Sequence, residues 1–473
     1  MPYVFDPAAY MHMHLAGEDP KPFGKRWHLQ PRNLKQALHE DNPYRDCWWA
    51  SINKEIKGLM DQGAFVPAKL RPGELETVLH SFFVHTAKTG PKGELLSLKS
   101  RFVANGKGHG HHVETYSPTP LWSSIRWLLK FAVDHDLEAM HIDVKQAYLL
   151  SLLPPKEQVL LRVPTGFPFR LPPGFNYLRV LKCLYGLPQS GRHWNKNVHN
   201  FVTGLHKTTQ YRFIQSTADP CLYFDHVNKC AIIVFVDDFI IVGNKAQADE
   251  IISLFDRKYP IKNLGGLRWY LCCAMERDRR VGLLHTSQGA FARQILAEAG
   301  MQDCKPVRTP AVGYLLPLAG EPPFDGETAK RQGRITGMLL YLAVATRLDM
   351  SFAVGQLCKF LSKPSPSVWK YTKRILRYLK GTLDFGLSFR KGQYGAKKHG
   401  DLVGYSDADH AGCPTSRKSW SGAIWTFGGD VIGWRCRQQT TVALSSMEAE
   451  LVALTAAARE GQHLCKAAKN FRV

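Results

Sequence analysis

Three aspartates stand where extended apolar segments of this sequence end or turn. Asp143 lies near the end of a short extended segment, and the pair Asp237-Asp238 separates Ala231–Val236 from Phe239–Val242. Two short apolar runs joined in this way predict a β-hairpin with the two acids at its tip. Carboxylates placed like this are candidates for chemistry that needs concentrated negative charge.

Neighbouring carboxylates repel each other, and burial adds to the cost of keeping both charged. A divalent cation offsets that cost. Two magnesium ions roughly 3.5–4 Å apart can clamp the attacking and leaving oxygens of a phosphoryl transfer, and magnesium prefers hard oxygen ligands. The competing interpretation is an ordinary turn, where aspartate is common. The apolar flanks of Asp237-Asp238 and the matching acid upstream, Asp143, favour the metal site.

The charge balance indicates which class of molecule this protein binds. The 473 residues include 62 Lys and Arg against 40 Asp and Glu, a net charge of +22. Such a surplus favours a polyanion, because each neutralised phosphate releases a counterion. A basic protein without such a partner, or one that meets an anionic membrane surface, is the alternative. The 44% hydrophobic content is ordinary for a globular protein and argues against disorder along the whole chain.

Cysteine usage and apolar runs bear on the compartment. The 11 cysteines contain no CxxC pair, which favours a reducing compartment over a disulfide framework or a zinc ribbon. The N-terminus has no signal-peptide pattern. The longest apolar run, Ala231–Val242, is interrupted by the two acids and is too short to span a bilayer. We therefore expect an intracellular protein with no membrane partner.

Hydrophobic periodicity predicts the elements that must position these acids. Residues 1–45 show little periodicity and are expected to be a loosely ordered lead-in. A separate C-terminal module is expected after about Lys391, with three strands followed by a helix from about Ser446. The other predicted elements are helices at Asp46–Gln62, Leu121–His135 and Ala248–Lys258, a second hairpin of Leu271–Glu276 and Gly282–Thr286, and mainly helices from Ala290 to Gly381.

Eight short segments, in order along the chain, resemble the reverse transcriptase of copia-type retrotransposons. They are Ser100–Ala104, Glu114–Pro118, His141–Tyr148, Leu184–Ser190, Phe235–Asp238, Arg374–Thr382, Gly404–Asp409 and Ser445–Glu450. The resemblance extends over nearly the whole chain. It implies an α+β protein with the right-hand polymerase fold of fingers, palm and thumb, followed by a partial RNase H-like α/β domain.

The resemblance also implies domain boundaries. The lead-in occupies 1–45, the fingers and palm 46–288, the thumb and a helical connection 289–395, and the N-terminal half of the RNase H-like domain 396–473. Within the palm, Asp143, Asp237 and Asp238 match the catalytic, metal-binding aspartates. The implied cofactor is Mg²⁺, two ions at the polymerase site, with Mn²⁺ as a substitute.

Four further residues match positions that bind the incoming nucleotide in this family. Arg101, with Lys99 nearby, matches basic residues that contact the triphosphate. Tyr148 matches the aromatic gate that excludes a ribose 2′-hydroxyl, and Gln189 lies where the family places a residue near the base and sugar. The competing interpretations are a solvated surface for the basic pair and core packing for Tyr148.

The C-terminal module carries two of the acids that an RNase H site needs. Asp407 matches the first metal-binding acid and Glu448 the second, with Glu450 as a less favoured substitute for Glu448. The family's remaining two acids have no counterpart up to Val473. We therefore expect this module to be truncated and inactive by itself.

The expected activity is RNA-directed DNA polymerisation, in which dNTPs extend a primer 3′-hydroxyl. The expected partners are an RNA template, a DNA primer, the RNA–DNA hybrid, dNTPs and other products of the same polyprotein. A cytoplasmic particle or the nucleus is the expected location. One alternative is a catalytically decayed relic that only binds nucleic acid, and another is a metal-dependent nuclease using Asp407 and Glu448.

Two departures from the family pattern bear on activity. Cys272 stands where the family usually has glycine, in the hairpin that resembles the primer grip. A side chain there could hinder close approach of backbone and primer. His109, His111 and His112 lie in a shortened loop, where a flexible fingers loop is favoured over a metal site.

Overall fold

The computed structural model describes residues 29–71, 78–89, 95–107, 114–392, 402–469 and 471. The loop histidines His109, His111 and His112, and residues 1–28 of the predicted lead-in, lie outside these ranges. The helices are α1 (Leu34–Ala37), α2 (Arg45–Asp61), α3 (Trp122–Asp134), α4 (Ser190–Gly204), α5 (Lys245–Lys258), α6 (Gly289–Ala299), α7 (Gly326–Ala345), α8 (Ser351–Cys358), α9 (Pro366–Gly381) and α10 (Ser446–Lys469).

The strands of the described residues complete the element order. They are β1 (Phe65–Ala68), β2 (Val78–Thr89), β3 (Leu95–Ala104), β4 (Glu138–Val144), β5 (Leu160–Arg162), β6 (Tyr177–Val180), β7 (Ile214–Gln215), β8 (Leu222–Asp225), β9 (Cys230–Phe235), β10 (Asp238–Gly243), β11 (Ile261–Gly266), β12 (Trp269–Tyr270), β13 (Cys273–Asp278), β14 (Leu283–Ser287), β15 (Gly386–Arg390), β16 (Leu402–Asp409), β17 (Trp420–Phe427) and β18 (Asp430–Gln438). Helices and mainly antiparallel sheets confirm the predicted α+β class.

The chain divides into two compact units. The first comprises the described residues up to Pro118 together with Lys145–Phe201, and the second comprises Thr119–Val144 and the described residues from Val202 onward. The first unit holds the five-stranded sheet β1-β6-β5-β2-β3. The second holds three sheets, of six, four and three strands. The domain boundaries expected from the sequence stay predictions.

Helix α2 is the main helix that packs on the sheet of the first unit. Its apolar residues Trp48, Ile52, Ile56 and Leu59 recur at helical spacing and are buried. The chain leaves the helix through Gly63, whose φ of 63° is the left-handed conformation that ends many helices. The predicted helix Asp46–Gln62 is therefore confirmed within one residue at each end.

The six-stranded sheet of the second unit has the order β11-β4-β10-β9-β8-β7. The predicted hairpin is present as β9 and β10, which pair in antiparallel register. Helix α3 covers one face, where Leu128, Ile240 and Val242 share a core. Helix α5 covers the other face, where the Phe255 ring lies 5.2 Å from the Phe239 ring. Both faces are buried, which explains why β9 and β10 are almost uniformly apolar.

The four-stranded sheet β12-β13-β14-β15 corrects one prediction and adds a strand. The predicted strand Leu271–Glu276 begins instead at Cys273, because Leu271 and Cys272 form a two-residue turn with φ of 47° and 63°. Positive φ at both central positions is the geometry of a tight hairpin turn. Strand β15, which pairs with β14, was not predicted.

The predicted C-terminal elements are confirmed. Strands β16, β17 and β18 form an antiparallel sheet, and α10 follows them. Helices α6 to α9 occupy the stretch predicted to be mainly helical. In the part of the chain that the structure describes, no helix combines the length and apolar character needed to cross a membrane.

Candidate active site

The three aspartates of the hairpin and its neighbour meet at one end of the six-stranded sheet. Asp143 on β4 and Asp238 on β10 are directly opposite each other in the antiparallel register. Residues opposite each other in such a pair have side chains on the same face, with Cβ atoms roughly 4.5–5.5 Å apart. The sheet therefore brings the carboxylates of Asp143 and Asp238 together although they are distant in sequence.

The hairpin tip differs from the prediction by one residue. Asp238 pairs with Phe235, so Val236 and Asp237 form the two-residue turn and Asp238 is the first residue of β10. The backbone N–H of Val144 donates to the carbonyl of Asp237 at 2.8 Å, which fastens this turn to β4. Because the turn is fastened, the positions of Asp237 and Asp238 relative to Asp143 are fixed by the backbone.

Val236 adopts a strained conformation in this turn. Its φ is 54°, in the left-handed region, where a β-branched side chain is an outlier. Strain of this kind persists only when the surrounding structure imposes it, and it is concentrated at functional sites. The bond between Val144 and Asp237 is one such constraint.

Sequence reasoning missed three neighbours of the aspartates. Nε2 of His141 lies 3.2 Å from Oδ1 of Asp238. The ring of Tyr270 meets the His141 ring edge-on at 5.6 Å. Lys262 on β11 is opposite Asp143 in register. His141 could have been found from the two-residue period of a strand, which places it on the same face as Asp143. The positions of Lys262 and Tyr270 near the aspartates depend on strand pairing, which no local sequence pattern shows.

The donor set fits a hard divalent cation that is shared with a substrate. Among the described residues, no group of three or more His, Cys, Asp or Glu side chains is arranged to hold a metal ion. Magnesium does not require such a cage, since it is usually held by one or two carboxylates together with waters and substrate phosphates. Asp143, Asp237 and Asp238 are all partly exposed, so their oxygens are accessible.

The residues expected to bind the nucleotide's phosphates and sugar lie in the first unit. Lys99 and Arg101 are two residues apart on β3 and so share a face. The Arg101 guanidinium lies 5.5 Å from the centre of the Tyr185 ring, which meets the Tyr148 ring edge-on at 5.0 Å. Burial raises the pKa of Glu55, while the Phe102 N–H and the charges of Lys99 and Arg101 oppose the rise.

Tyr148 and Gln189 differ in exposure. Tyr148 is partly buried against the core of its unit, which is compatible with both core packing and a gate. Gln189 is fully buried, and its Nε2 donates to the Glu157 carbonyl at 3.4 Å. Its Oε1 has no hydrogen-bond partner among the described residues. Contact of Gln189 with a nucleotide would require the side chain to become exposed, and its role stays a prediction.

The acids of the C-terminal residues are arranged differently from Asp143, Asp237 and Asp238. Asp407 is exposed on β16. Glu448, in the first turn of α10, accepts the Leu444 N–H at 2.7 Å and so helps to cap its own helix. Glu450 accepts the Ala408 N–H at 3.3 Å. By this contact the structure brings Glu450 against β16, while Glu448 is engaged at the helix start.

Comparison with known proteins identifies the family. The family model described as reverse transcriptase (RNA-dependent DNA polymerase) matches residues 72–313, which is more than half of the chain. The chain therefore belongs to the reverse transcriptase family. This match confirms the family predicted from the sequence.

Individual relatives point to retrotransposons. The chain is 31% identical over 445 residues to the retrovirus-related Pol polyprotein from transposon TNT 1-94 of Nicotiana tabacum, a match covering 91% of this chain and 32% of the relative. It is also 31% identical to the Pol polyprotein from transposon RE2 of Arabidopsis thaliana, covering 92% of this chain and 29% of the relative. The predicted resemblance to copia-type Pol proteins is confirmed. The chain spans about a third or less of the length of these relatives.

A solved structure shares the general arrangement only weakly. The foamy viral protease-reverse transcriptase in complex with double-stranded DNA matches 88% of this chain and 60% of its own length, with 12% identity. The TM-score is 0.47.

Proposed function

We propose that this chain is an RNA-directed DNA polymerase that adds deoxynucleotides to a primer 3′-hydroxyl on an RNA template. The observation that carries the proposal is the register of β4 and β10, which places Asp143 opposite Asp238 at an exposed end of a buried sheet. Carboxylates that converge there provide the negative charge that nucleotidyl transfer needs to concentrate divalent ions. Membership of the reverse transcriptase family supports the same reaction.

In this proposal, Asp143, Asp237 and Asp238 hold two Mg²⁺ ions, or Mn²⁺ in their place. When bound, the ions neutralise charge on the phosphates and favour ionisation of the primer hydroxyl. The protein's own contribution is to fix the carboxylates in advance. Val144 fastens the Asp237 backbone, and the strand register fixes Asp143 and Asp238.

We assign the nucleotide contacts to the first unit. Lys99 and Arg101 would bind the triphosphate, and Tyr148 would exclude a 2′-hydroxyl. Cation–π contact with Tyr185 holds the Arg101 side chain, which reduces the entropy lost on binding phosphate. Gln189, which is buried, would act on the base and sugar only after it becomes exposed.

The net charge of +22 supports binding of the template, the primer and the RNA–DNA hybrid. Recognition would depend on duplex shape and backbone rather than base sequence. Association with other products of the same polyprotein, and a location in a cytoplasmic particle or the nucleus, are further parts of the proposal. Copurification and cell fractionation with a tagged chain would test them.

The decisive experiment is extension of a DNA primer on an RNA template by the purified chain in Mg²⁺. We expect the parent to extend the primer. Asp143→Asn, and separately Asp237→Asn with Asp238→Asn, should abolish extension while hybrid binding is retained. Asp256→Asn is the matched control, because Asp256 is an exposed acid on α5 of the same unit and should leave extension unchanged.

A folded parent that binds the hybrid but does not extend a primer would favour the alternative, a relic that only binds nucleic acid. In that case the aspartate variants would bind the hybrid as tightly as the parent does. The charge surplus supports this candidate independently of the aspartates. Circular dichroism of every protein would exclude misfolding as the cause of lost extension.

RNA cleavage can be measured in the same reactions. We propose that the C-terminal module does not cleave the RNA strand of the hybrid, because Glu448 is bonded to the start of its own helix. Asp407→Asn should then leave the length of the template RNA unchanged. Template cleavage by the parent that disappears in this variant would instead support the metal-dependent nuclease.

A further inference from the structure

Asp238 has a side-chain partner that belongs to the same face of the sheet. His141 is two residues before Asp143 on β4 and is diagonal to Asp238, a separation that a long side chain can bridge. Its Nε2 lies 3.2 Å from Oδ1 of Asp238. Where Asp238 is an ionised carboxylate, which only accepts hydrogen bonds, the donor in this contact is Nε2–H.

The position of His141 is itself fixed. The residue is only 8% exposed, and the buried ring of Tyr270 meets it edge-on at 5.6 Å. A ring held in this way keeps its donor aimed at one oxygen of Asp238. The Asp238 side chain is 31% exposed, so the carboxylate remains accessible beyond the histidine.

Tyr270, which contacts His141, has an unusual environment of its own. The residue is 1% exposed, and its hydroxyl has no hydrogen-bond partner among the described residues. Burial raises the pKa of Tyr270 well above its usual value, and the charge of Asp238 acts in the same direction. An unpartnered buried hydroxyl of this kind is unfavourable for stability alone.

The two neighbouring aspartates are held by different means. Asp237 is fixed through its backbone carbonyl by the Val144 N–H. Asp238 is fixed through its carboxylate by His141. The orientation of the Asp238 side chain is therefore set separately from the hairpin turn. Among the described residues, His141 is the side chain seen in contact with the Asp238 carboxylate.

We propose that His141 is a positioning residue of the polymerase site, which holds one oxygen of Asp238 by its Nε2–H and leaves the other for a divalent ion. The proposal rests on the polymerase function proposed above. The ring of Tyr270 packs edge-on against His141 and helps to hold it in place. Removal of an outer partner of a metal-binding carboxylate typically weakens metal affinity or activity by about 10–100-fold.

The test compares two substitutions with opposite properties. His141→Phe keeps an aromatic ring against Tyr270 and removes the donor, whereas His141→Gln loses the ring and keeps an N–H donor. We expect His141→Phe to weaken Mn²⁺ binding, measured by electron paramagnetic resonance without nucleotide, by about 10–100-fold. The Mg²⁺ concentration for half-maximal primer extension should rise by a similar factor. His141→Gln should stay within a few-fold of the parent, since the rescue depends only on the donor.

His206→Leu is the matched control, because His206 is an exposed histidine of the same unit and should leave both readouts unchanged. Mn²⁺ affinity of folded His141→Phe equal to that of the parent would overturn the proposal. If the parent binds Mn²⁺ but does not extend a primer, the polymerase function fails, while the Mn²⁺ comparison still decides the role of His141.

A measurement on the unsubstituted chain covers the case in which His141→Phe does not fold. Histidine-labelled protein, with His141 assigned by comparison with His141→Gln, should show Nε2 protonated and Nδ1 bare by proton–nitrogen correlation. The opposite tautomer would overturn the proposal, because Nε2 would then have no proton to donate to Asp238.

Discussion

The surroundings of Lys130 determine how much stability its loss should cost. The residue is on α3 and is fully buried. Its Nζ lies 2.7 Å from Asp134 Oδ1, 3.3 Å from Asp430 Oδ2 and 2.8 Å from the Arg390 carbonyl. Both carboxylates are also nearly buried, at 9% and 4% side-chain exposure. One buried ammonium group thus lies between two nearly buried acids.

We expect Lys130→Met to lower the free energy of unfolding by about 3–5 kcal/mol, the cost of leaving a buried charge without its partner. Methionine retains the shape of the lysine stem, so the loss of stability comes from electrostatics rather than from a cavity. The Arg390 guanidinium, 3.9 Å from Asp430, compensates part of the remaining charge and places the loss toward the lower end. Added salt should recover little of the stability, because screening of buried pairs is weak.

The assay is urea unfolding followed by tryptophan fluorescence, since Trp127 lies on the same helix. Lys258→Met, at an exposed position of α5, is the control and should change stability by at most about 0.5 kcal/mol. The double variant Lys130→Met with Asp430→Asn should lose less than the single variant, with a coupling of about 0.5–3 kcal/mol. A single variant within about 1 kcal/mol of the parent would refute the reasoning.

Three further predictions concern backbone strain, acid stability and salt. Cys272→Gly should raise stability by up to about 1 kcal/mol in thermal unfolding, because a φ of 63° strains a residue with a side chain but not glycine, and the exposed cysteine side chain contributes little packing. Cys272→Ala keeps the strain and should give no gain. Burial lowers the pKa of His85 to about 4 from 6.5. The unfolded chain therefore binds the extra proton, and the stability due to neutral His85, about 3 kcal/mol, is complete above pH 6.5 and is lost as the pH falls to about 4. His85→Leu should flatten urea unfolding over that range, and a profile as steep as the parent's would contradict the assignment. Hybrid affinity should fall about 10³–10⁵-fold between 50 and 200 mM salt in a filter-binding titration if 6–10 phosphates are contacted, and a salt-independent affinity would contradict an electrostatic interface.

The hairpin that carries the acids could be predicted from sequence, but its turn could not. Two apolar segments around Asp237-Asp238 identify β9 and β10, because strand pairing of adjacent segments is a local property. Turn preferences then favour the two aspartates as the central pair. The structure instead puts Val236 at a φ of 54°. The Val144 N–H bond to Asp237 contributes to that choice, and it comes from a strand distant in sequence.

The neighbours of the acids show a similar limit. His141 shares a strand with Asp143 and was accessible to periodicity, yet its bond to Asp238 depends on the register between β4 and β10. Strand β15 is short and pairs with β14 across a long intervening sequence, so no local pattern marks it. Lys130 would ordinarily be assigned to a solvated helix face. Two of its three partners, Asp430 and the Arg390 carbonyl, are distant in sequence, so its burial could not be predicted from the helix alone.

Helix α3 connects the acid-bearing sheet to the C-terminal module. One turn before Lys130, the buried Arg126 donates to the carbonyls of Val344, Ala345 and Ile432, and its guanidinium lies 3.8 Å from the Trp434 ring centre. Burial lowers the pKa of Arg126 to about 9.

Arg126 and Lys130 both reach β18 or its first residue, while the apolar side chains of α3 pack on β10. A substitution that displaces β18 therefore removes partners of the buried Arg126 and Lys130. Both residues lie on α3, the helix that packs against β10. Strand β18 consequently contributes, through α3, to the support of the sheet that carries Asp238, whether or not the C-terminal residues act on RNA. For that reason, loss of primer extension on truncation before β16 would not by itself show that the module is catalytic.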